Sequence, residues 1–297
     1  MQYNTLKNGL KISEISFGCM SLKASYNDND TLIGHAVDNG INLFDTADLY
    51  EKGDNEKLLG AALKGRRKEI HISTKVGNRW KADGSGWEWC PRKEYILTAV
   101  DDSLRRLQTD YIDMYLLHGG TIDDPIDETI EAFERLVELG KIRSYGLSSI
   151  RSNVIREYVS RSNIAAVMTQ YSVLDRRPEE ETLQLLKDNT IGVLARGTVA
   201  SGLLAGKPAA PYIGIDEEMV DTIQQDLAKS LLHGRSMQQT ALRYVADNPS
   251  VTSAVIGVRT AQQLEDALTA ARALPLSNEE LALLKNLWEG TTYAEHR

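Results

Sequence analysis

The sequence predicts an α/β fold, a parallel eight-stranded (β/α)8 barrel (TIM barrel) with an extra C-terminal helix. Eight short apolar segments alternate with amphipathic segments, and short loops join them. This alternation favours parallel strands with right-handed helical crossovers. Eight such units close a barrel at roughly 250 residues, and this chain has 297. An open, doubly wound sheet is the alternative, although such sheets usually have fewer strands at this length.

The predicted strands are rich in β-branched residues and almost continuously apolar. This pattern is typical of strands that are covered on both faces. In chain order the strands are Glu14–Gly18, Ile41–Asp45, Ile70–Lys75, Tyr111–Leu116, Ile142–Leu147, Ala165–Gln170, Ile191–Ala195 and Val251–Ile256.

Helical periodicity follows each of these strands, and several of the helices end at a glycine or begin at a proline. A ninth helix follows the eighth strand–helix pair and has a Ser-Asn-Glu-Glu start. The predicted helices are Asn29–Asn39, Asn55–Leu63, Pro91–Arg106, Pro125–Leu139, Arg151–Ser160, Pro178–Lys187, Ser236–Ala246, Thr260–Ala271 and Asn278–Trp288.

Two stretches interrupt the alternation. Gly77–Cys90 contains three tryptophans, and Gly206–Met219 is rich in Gly, Pro and Ala. Both follow predicted strands, so we expect both at the C-terminal rim, where barrel enzymes bind ligands. No linker or low-complexity tract divides the chain, and we predict a single domain over residues 1–297.

The composition argues against several classes of protein. With 34 Lys and Arg against 42 Asp and Glu, the net charge is −8, which disfavours nucleic-acid binding. No apolar run approaches the roughly 18 residues of a membrane span, and Met1–Leu10 lacks a signal-peptide core. Two distant cysteines, Cys19 and Cys90, indicate a cytoplasmic protein rather than a disulfide scaffold. The sequence does not determine the oligomeric state, and it is compatible with a monomer.

Four polar side chains fall at or just after the ends of three successive strands. Asp45 ends the second strand and Tyr50 follows it by five residues. Lys75 ends the third strand, and His118 comes shortly after the fourth. Because strand C-termini in a barrel converge on one mouth, these side chains are expected to meet there.

Together these residue types make a proton-donating unit. A carbonyl that accepts a hydride develops negative charge on oxygen and needs a proton, which the Tyr50 hydroxyl could supply. A nearby Lys75 ammonium favours the phenolate, and Asp45 would keep the ammonium charged in a poorly solvated site. His118 could donate a hydrogen bond to the carbonyl oxygen. No metal is required.

Each residue taken singly also has a structural interpretation. Asp45 could cap a turn, Tyr50 could pack in the core, and His118 could be a satisfied core histidine. Lys75 is harder to explain in this way, because an ammonium at the end of an apolar strand needs a partner. Their joint placement favours catalysis.

These segments resemble the signature of the aldo-keto reductases. The resemblance extends along nearly the whole chain and lies in Asp45-Thr46-Ala47 with Tyr50, Ile72–Lys75, Tyr115–His118, Ile15–Met20, Gly40–Asp45, Asp110–Asp113 and Gly140–Ser148. It implies a (β/α)8 barrel in which Tyr50 is the general acid, assisted by Lys75 and Asp45, and His118 orients the carbonyl.

A phosphate of the hydride donor is expected at the loops after the seventh and eighth strands, where a barrel can hold an anion. No G-x-G-x-x-G motif follows a strand and no P-loop is present. Gly257–Thr260 opens the helix after the eighth strand, where free N–H groups, the helix dipole and Arg259 suit an anion. A capping Thr260 with a solvated Arg259 is the structural alternative.

The resemblance identifies the cofactor as NADPH and places the 2′-phosphate at Arg259, which favours NADPH over NADH. It implies further contacts to nicotinamide, pyrophosphate and adenosine. The implied cofactor-binding residues are Ser148, Ser149, Gln170, Arg196, Gly197, Val199, Gly202, Leu203, Gly257, Val258, Arg259, Gln263 and Asp266.

Some positions depart from the family pattern. An aromatic-Ser-Pro-Leu run is frequent after the seventh strand, but this chain has Arg196-Gly197-Thr198-Val199. A guanidinium is planar and can also stack on nicotinamide. Ser149 stands where asparagine is usual beside the carboxamide, and Ala267 stands where asparagine is common near the adenine, so the contacts to adenine are expected to differ.

A small-molecule carbonyl compound is the expected substrate. Trp80, Trp87 and Trp89 would line one side of an aromatic or apolar pocket, unless this loop simply packs on the surface. An NADPH-binding regulatory protein, similar to the potassium-channel β subunits, is the alternative function. A barrel glycosidase is disfavoured, because His118 and Ala195 occupy strand ends where it would need carboxylates.

Overall fold

Eight parallel strands close into a barrel in the computed structural model, which describes residues 1–23, 25–26, 28–231 and 233–297. Two antiparallel hairpins lie outside the barrel. In chain order the strands are β1 (Tyr3–Thr5), β2 (Lys11–Ser13), β3 (Ile15–Gly18), β4 (Leu43–Asp45), β5 (His71–Val76), β6 (Asn78–Trp80), β7 (Trp87–Trp89), β8 (Met114–Leu117), β9 (Tyr145–Ser148), β10 (Ala166–Gln170), β11 (Gly192–Arg196) and β12 (Ser253–Gly257).

The barrel order follows the chain order, from β3, β4 and β5 through β8 to β12, and β12 pairs with β3 to close it. All eight predicted strands are present, six of them shortened and two, β5 and β11, shifted by one residue, and the predicted (β/α)8 barrel is confirmed. Nearly all of their residues are buried, which explains why the sequence pattern was continuously apolar rather than alternating.

Ten α-helices surround the strands in the described part of the chain. They are α1 (Asn29–Asp38), α2 (Asp54–Ala62), α3 (Lys93–Leu107), α4 (Ile126–Glu138), α5 (Ser152–Arg161), α6 (Thr182–Asp188), α7 (Glu217–Lys229), α8 (Met237–Ala246), α9 (Ala261–Arg272) and α10 (Asn278–Asn286). The nine predicted helices each have a counterpart, including the C-terminal one. The helix predicted to begin at Pro178 begins at Thr182, because Arg177–Glu179 forms a separate 3-10 turn.

Helix α7 was not predicted. Asp216 caps it by accepting a hydrogen bond from the Met219 backbone N–H at 2.8 Å. Val220, Ile223 and Leu227 recur at intervals of three and four residues and are fully buried. A minimal barrel needs one helix between its last two strands, and this chain has both α7 and α8 there.

The hairpin β1–β2 was also missed. Its turn contains Asn8-Gly9, in which Gly9 has φ +84° and the Asn8 side chain accepts from the Leu10 N–H. Asn-Gly between strand-like segments is a hairpin signal. The stretch Gly77–Cys90 similarly contains a hairpin, β6–β7, that the sequence analysis left without regular structure.

The N-terminal hairpin closes the bottom of the barrel. Leu6 and Ile12 join the apolar residues of the barrel interior, among them Leu43, Met114 and Leu194. The fit is close, since a Cβ on the strand residue Gly192 would clash with Leu6 Cδ2. The lower half of the barrel interior is therefore a packed apolar core.

No helix among the residues that the structure describes has the length and apolar character needed to cross a membrane.

Truncating the bottom plug should destabilise the fold. We expect Leu6→Ala to lower the free energy of unfolding by roughly 2–5 kcal/mol, because it leaves a cavity in a closed interior. Leu274→Ala is the matched control, since Leu274 is 71% exposed. Urea denaturation measures both, and equal small effects in the two variants would show that Leu6 does not seal the barrel.

Candidate active site

The four predicted catalytic side chains converge at the C-terminal rim of the barrel. Asp45 ends β4, Lys75 is the last residue but one of β5, and His118 directly follows β8. Tyr50 begins a short 3-10 turn after β4. Parallel pairing of β4 with β5 and of β5 with β8 brings these positions onto one side of the mouth.

Lys75 is the centre of the group. Its ammonium donates to Asp45 Oδ2 at 2.7 Å, to the Thr46 carbonyl oxygen at 2.7 Å and to Tyr50 Oη at 3.3 Å. Only a charged ammonium has three N–H donors for these three acceptors. The donation to Tyr50 Oη leaves the phenolic O–H free to point away from the lysine.

The Asp45–Lys75 pair is almost fully buried, at 5% and 1% exposure. Burial alone would lower the pKa of Lys75, but the charges of Asp45 and Tyr50 and the hydrogen bonds to both together raise that pKa. Burial raises the pKa of Asp45, while the charge of Lys75 opposes the rise. The three hydrogen bonds of Lys75 require its charged form, so we assign the site as an ion pair.

Tyr50 is presented by an unusual turn. The three residues after it, Glu51, Lys52 and Gly53, all have left-handed φ angles, at 48°, 56° and 88°. Two of them carry side chains, and such residues rarely adopt this conformation without support from the surrounding structure. The turn aims the Tyr50 ring at Lys75, whose ammonium lies 4.9 Å from the ring centroid.

His118 stands on the other side of Tyr50, with ring centroids 5.9 Å apart and an edge-to-face angle of 84°. Burial lowers the pKa of His118 to about 3, and the charges of Lys75 and Arg196 act in the same direction. The imidazole is therefore neutral near pH 7. Its Nδ1 is buried and has no hydrogen-bond partner within the described part of the chain.

Two of the predicted cofactor residues contact each other at the ends of neighbouring strands. Arg196, at the end of β11, donates to Gln170 Oε1 at 2.9 Å, and Gln170 Nε2 donates to the Tyr212 hydroxyl at 3.0 Å. Gly197 lies against Gln170, with φ +70°. After these two bonds, the Gln170 amide still has one N–H and one oxygen lone pair available. A carboxamide ligand, which has both an acceptor and a donor, can bond to them.

Ser148 ends β9, and Ser149 lies against β10 through its N–H, which donates to the Met168 carbonyl. Val199 precedes the 3-10 turn Ala200–Ala205, which contains Gly202 and Leu203. Ala200, Ser201 and Gly202 have left-handed φ angles in succession. Turns of this kind form concavities of N–H groups that suit anions.

The predicted phosphate site lies at the N-terminus of α9. Gly257 ends β12 and is exposed, Val258 is buried, and Arg259 is exposed. Thr260 caps the helix by accepting from the Gln263 N–H at 3.3 Å, and Gln263 Oε1 accepts from the Arg259 N–H at 3.0 Å. The Arg259 guanidinium is thus offered to solvent at a positive helix end.

Asp266 lies one turn further along α9 and accepts from Gln262 Nε2 at 2.9 Å. Its carboxylate has further lone pairs, so it can still accept a hydrogen bond from a ligand.

The three tryptophans fall on one face of the hairpin β6–β7, since Trp80 pairs with Trp87, and Trp89 is two residues beyond Trp87. The Trp80 ring lies 5.1 Å from the Lys52 ammonium, beside the turn that carries Tyr50. The Trp89 ring lies against Gly77 and Gly119. Trp87 is 50% exposed, so the structure places Trp80 and Trp89 next to the catalytic group and Trp87 further out.

Sequence analysis missed several residues of this site. Tyr212 and Asp124 hold Gln170 and Trp89 respectively, the latter through an indole N–H bond of 2.9 Å. Tyr212 is a lone aromatic in the Gly- and Pro-rich stretch, which was a usable signal. Thr46 contributes only its carbonyl oxygen, which no side-chain pattern could reveal. Across the described ranges, no group of three or more His, Cys, Asp or Glu side chains could hold a metal ion.

Comparison with known proteins gives a consistent result. The profile of the aldo/keto reductase family matches residues 14–289. The uncharacterized oxidoreductase YqkF of Bacillus subtilis is 45% identical, with 97% of this chain and 96% of YqkF covered. The aldo-keto reductase yakc [NADP(+)] of Schizosaccharomyces pombe is 34% identical over 67% of this chain and 62% of its own length.

Solved structures agree. The holo form of aldo-keto reductase AKR11C1 from Bacillus halodurans superposes with a TM-score of 0.95 at 46% identity, covering 100% of this chain and 99% of that one. The resemblance recognised in the sequence is therefore confirmed.

We expect His118 to stay neutral between about pH 5 and pH 8. The unfolded chain binds a proton at His118 near pH 6.5, but the folded protein does so only near pH 3. Stability therefore rises with pH across this window and falls as pH drops below about 6.5, on the order of 2 kcal/mol by pH 5.

Urea denaturation at pH 5 and 7 should show a larger loss for the wild type than for His118→Asn. His296→Asn is the control, because His296 lies near the exposed C-terminus. An imidazole NMR signal of His118 that titrates near pH 6.5 would contradict the expectation.

Proposed function

Because the chain belongs to the aldo/keto reductase family, we propose that it is an NADPH-dependent oxidoreductase that reduces aldehydes or ketones to alcohols. The observation that carries this proposal is the contact of the Lys75 ammonium with Tyr50 Oη and Asp45 Oδ2 at the barrel mouth. The partner is a small-molecule carbonyl compound. We also propose a cytoplasmic location, in keeping with the unpaired thiols Cys19 and Cys90.

Tyr50 acts as the general acid. A carbonyl oxygen gains negative charge as hydride arrives at its carbon, and the Tyr50 proton moves to that oxygen. The ammonium of Lys75 stabilises the phenolate that remains, and Asp45 stabilises the ammonium. General acid catalysis of this kind typically contributes 10²–10⁴-fold.

His118 positions the carbonyl oxygen. Because the ring is neutral, it has one N–H donor, and its buried position next to Tyr50 lets it donate to the same oxygen. A cationic His118 would compete with Tyr50 as the proton source, and burial together with the nearby Lys75 and Arg196 charges prevents this. Which ring nitrogen carries the hydrogen depends on the tautomer.

The residues present fit a nicotinamide dinucleotide phosphate, whose role when bound is to supply the hydride. Gln170 and Ser148 would hold the carboxamide, the left-handed turn at Gly202 the pyrophosphate, and Arg259 the 2′-phosphate. The supporting observations are the spare hydrogen-bonding capacity of Gln170 and the exposed guanidinium at the start of α9. NADPH is proposed over NADH because Arg259 suits a second anionic group.

Arg196 would replace the aromatic ring that is frequent in the family. Its guanidinium is tethered to Gln170, so its plane is held beside the position proposed for the carboxamide. A planar cation can stack as a ring does. The charge of Arg196 also lowers the pKa of His118, although burial and the charge of Lys75 have larger effects.

Trp80 and Trp89 are proposed to form an apolar wall for the substrate. Trp89 lies beside Gly119, the residue after His118, and Lys52 connects Trp80 to the Tyr50 turn. Trp87 is proposed as an outer contact for longer substrates.

We predict that Tyr50→Phe keeps cofactor binding near wild type but lowers aldehyde reduction by several orders of magnitude, because it removes the proton and keeps the ring. Loss of NADPH absorbance with a reactive aldehyde measures turnover. Tyr3→Phe, in the hairpin at the bottom of the barrel, is the control. Intact activity in Tyr50→Phe would remove Tyr50 from the mechanism. Cofactor binding by the wild type without any turnover would instead favour a regulatory protein.

We predict that Arg259→Ala weakens NADPH binding roughly 10- to 100-fold and leaves NADH binding nearly unchanged, since only NADPH has the 2′-phosphate. Arg272→Ala, at the other end of α9, is the matched control. Dissociation constants can be measured by quenching of tryptophan fluorescence. Equal weakening of both cofactors would show that Arg259 does not recognise the 2′-phosphate.

A further inference from the structure

A buried ion pair lies directly behind the turn that presents Tyr50. Glu56, on α2, is fully buried, and its Oε2 accepts from Arg106 Nε of α3 at 2.6 Å. Arg106 also donates to Ser103 Oγ at 3.2 Å. The proton-donating group described above does not use this pair.

Arg106 supports the turn by direct contact. A Cβ built on Gly53 would lie 2.7 Å from Arg106 Cδ and 2.8 Å from its Nε, so the side chain packs against the Gly53 backbone. Gly53 ends the run of left-handed residues that begins one position after Tyr50. The backbone bonds that tie Tyr50 and Lys52 to the preceding residues are long, from the Tyr50 N–H to Ala47 O at 3.2 Å and from the Lys52 N–H to Leu49 O at 3.3 Å.

Glu56 is also bonded to the strand that carries Lys75. Its Oε1 accepts from Thr74 Oγ1 at 2.6 Å, and Thr74 immediately precedes Lys75 in β5. One carboxylate is therefore bonded to the strand that carries Lys75 and, through Arg106, to the turn that carries Tyr50.

We propose that Glu56 and Arg106 are positioning residues that set the separation between Tyr50 Oη and Lys75 Nζ. The proposal rests on the proposed function, because it assigns the pair a role through Tyr50. That contact is already long, at 3.3 Å, so a small outward shift of the turn would break it. Displacements of about 1 Å at a reacting group can cost 10²-fold in rate.

Stability alone is a weak explanation for the pair. Buried ion pairs often contribute little net stability, because desolvation offsets the attraction. This pair also has a second buried acid beside it, since burial and the charge of Glu56 raise the pKa of Asp48 to about 8. The arrangement is thus electrostatically costly, and it contacts both the Tyr50 turn and the strand that carries Lys75.

The test is Arg106→Gln, with Arg105→Gln as the matched control. Arg105 is the preceding residue in α3, and its side chain is 73% exposed and paired with Asp102. Arg106→Lys is the conservative variant, since it keeps the positive charge but replaces the planar guanidinium with an ammonium group. Gly53→Ala disturbs the same contact from the opposite side without removing either charge, so it decides the matter if Arg106→Gln does not fold.

Three measurements distinguish a positioning role from a general loss of structure. In single turnover with saturating NADPH and a reactive aldehyde, we expect Arg106→Gln to slow hydride transfer roughly 10- to 100-fold. The dissociation constant for NADPH should change less than about twofold, and Arg106→Lys should recover part of the rate. Hydrogen exchange of the Tyr50 and Lys52 amides should become roughly tenfold faster, with the barrel strands unchanged.

A hydride-transfer rate within about twofold of wild type, together with unchanged exchange in the turn, would overturn the proposal. A loss of rate matched by equal weakening of NADPH binding and faster exchange throughout the barrel would also overturn it, since the role would then be purely structural. If the wild type shows no turnover, the proposed function fails, and the exchange measurement alone still decides whether Arg106 holds the turn.

Discussion

The buried ammonium of Lys75 imposes the strictest constraint on this molecule. An ammonium that is 1% exposed is tolerated only when its donors are matched, and here three acceptors come from two parts of one segment. Asp45 and Thr46 end a barrel strand, while Tyr50 belongs to the turn beyond it. The strand register and the turn conformation must both be correct for Lys75 to stay satisfied. The contacts that satisfy Lys75 are therefore the same contacts that bring Asp45 and Tyr50 together at the barrel mouth.

The charges of the mouth follow from that constraint. Lys75 and Arg196 are two cations at the rim of a chain with a net charge of −8, and both help to keep His118 neutral. A neutral imidazole beside two cations can donate a hydrogen bond without supplying the proton. The same cations favour negative charge at the mouth, both on a reacting carbonyl oxygen and on the phosphates of a cofactor.

The sequence permitted prediction of those features that depend on local pattern. Eight apolar strands and the spacing of Asp45, Tyr50, Lys75 and His118 were recognisable because strand ends in a barrel meet by topology. Contacts between distant segments were not recognisable, such as the link from Gln170 to Tyr212 over 42 residues. Helix α7 was missed for another reason. Its sequence has the helical spacing of apolar residues, but a (β/α)8 barrel needs only one helix between its last two strands. The same holds for both hairpins, whose strands are only three residues long.

The Tyr50 turn shows why such distant contacts matter most near the chemistry. A run of left-handed residues is locally unfavourable, so neighbouring residues cannot be what holds it. The support must come from elsewhere in the chain, and the structure supplies it through a side chain of α3 packed on Gly53. Barrel strands are predictable because local pattern and final structure agree in them. In the turn that carries Tyr50 they disagree, and the packing of Arg106 against Gly53 stabilises a conformation that the local sequence does not favour.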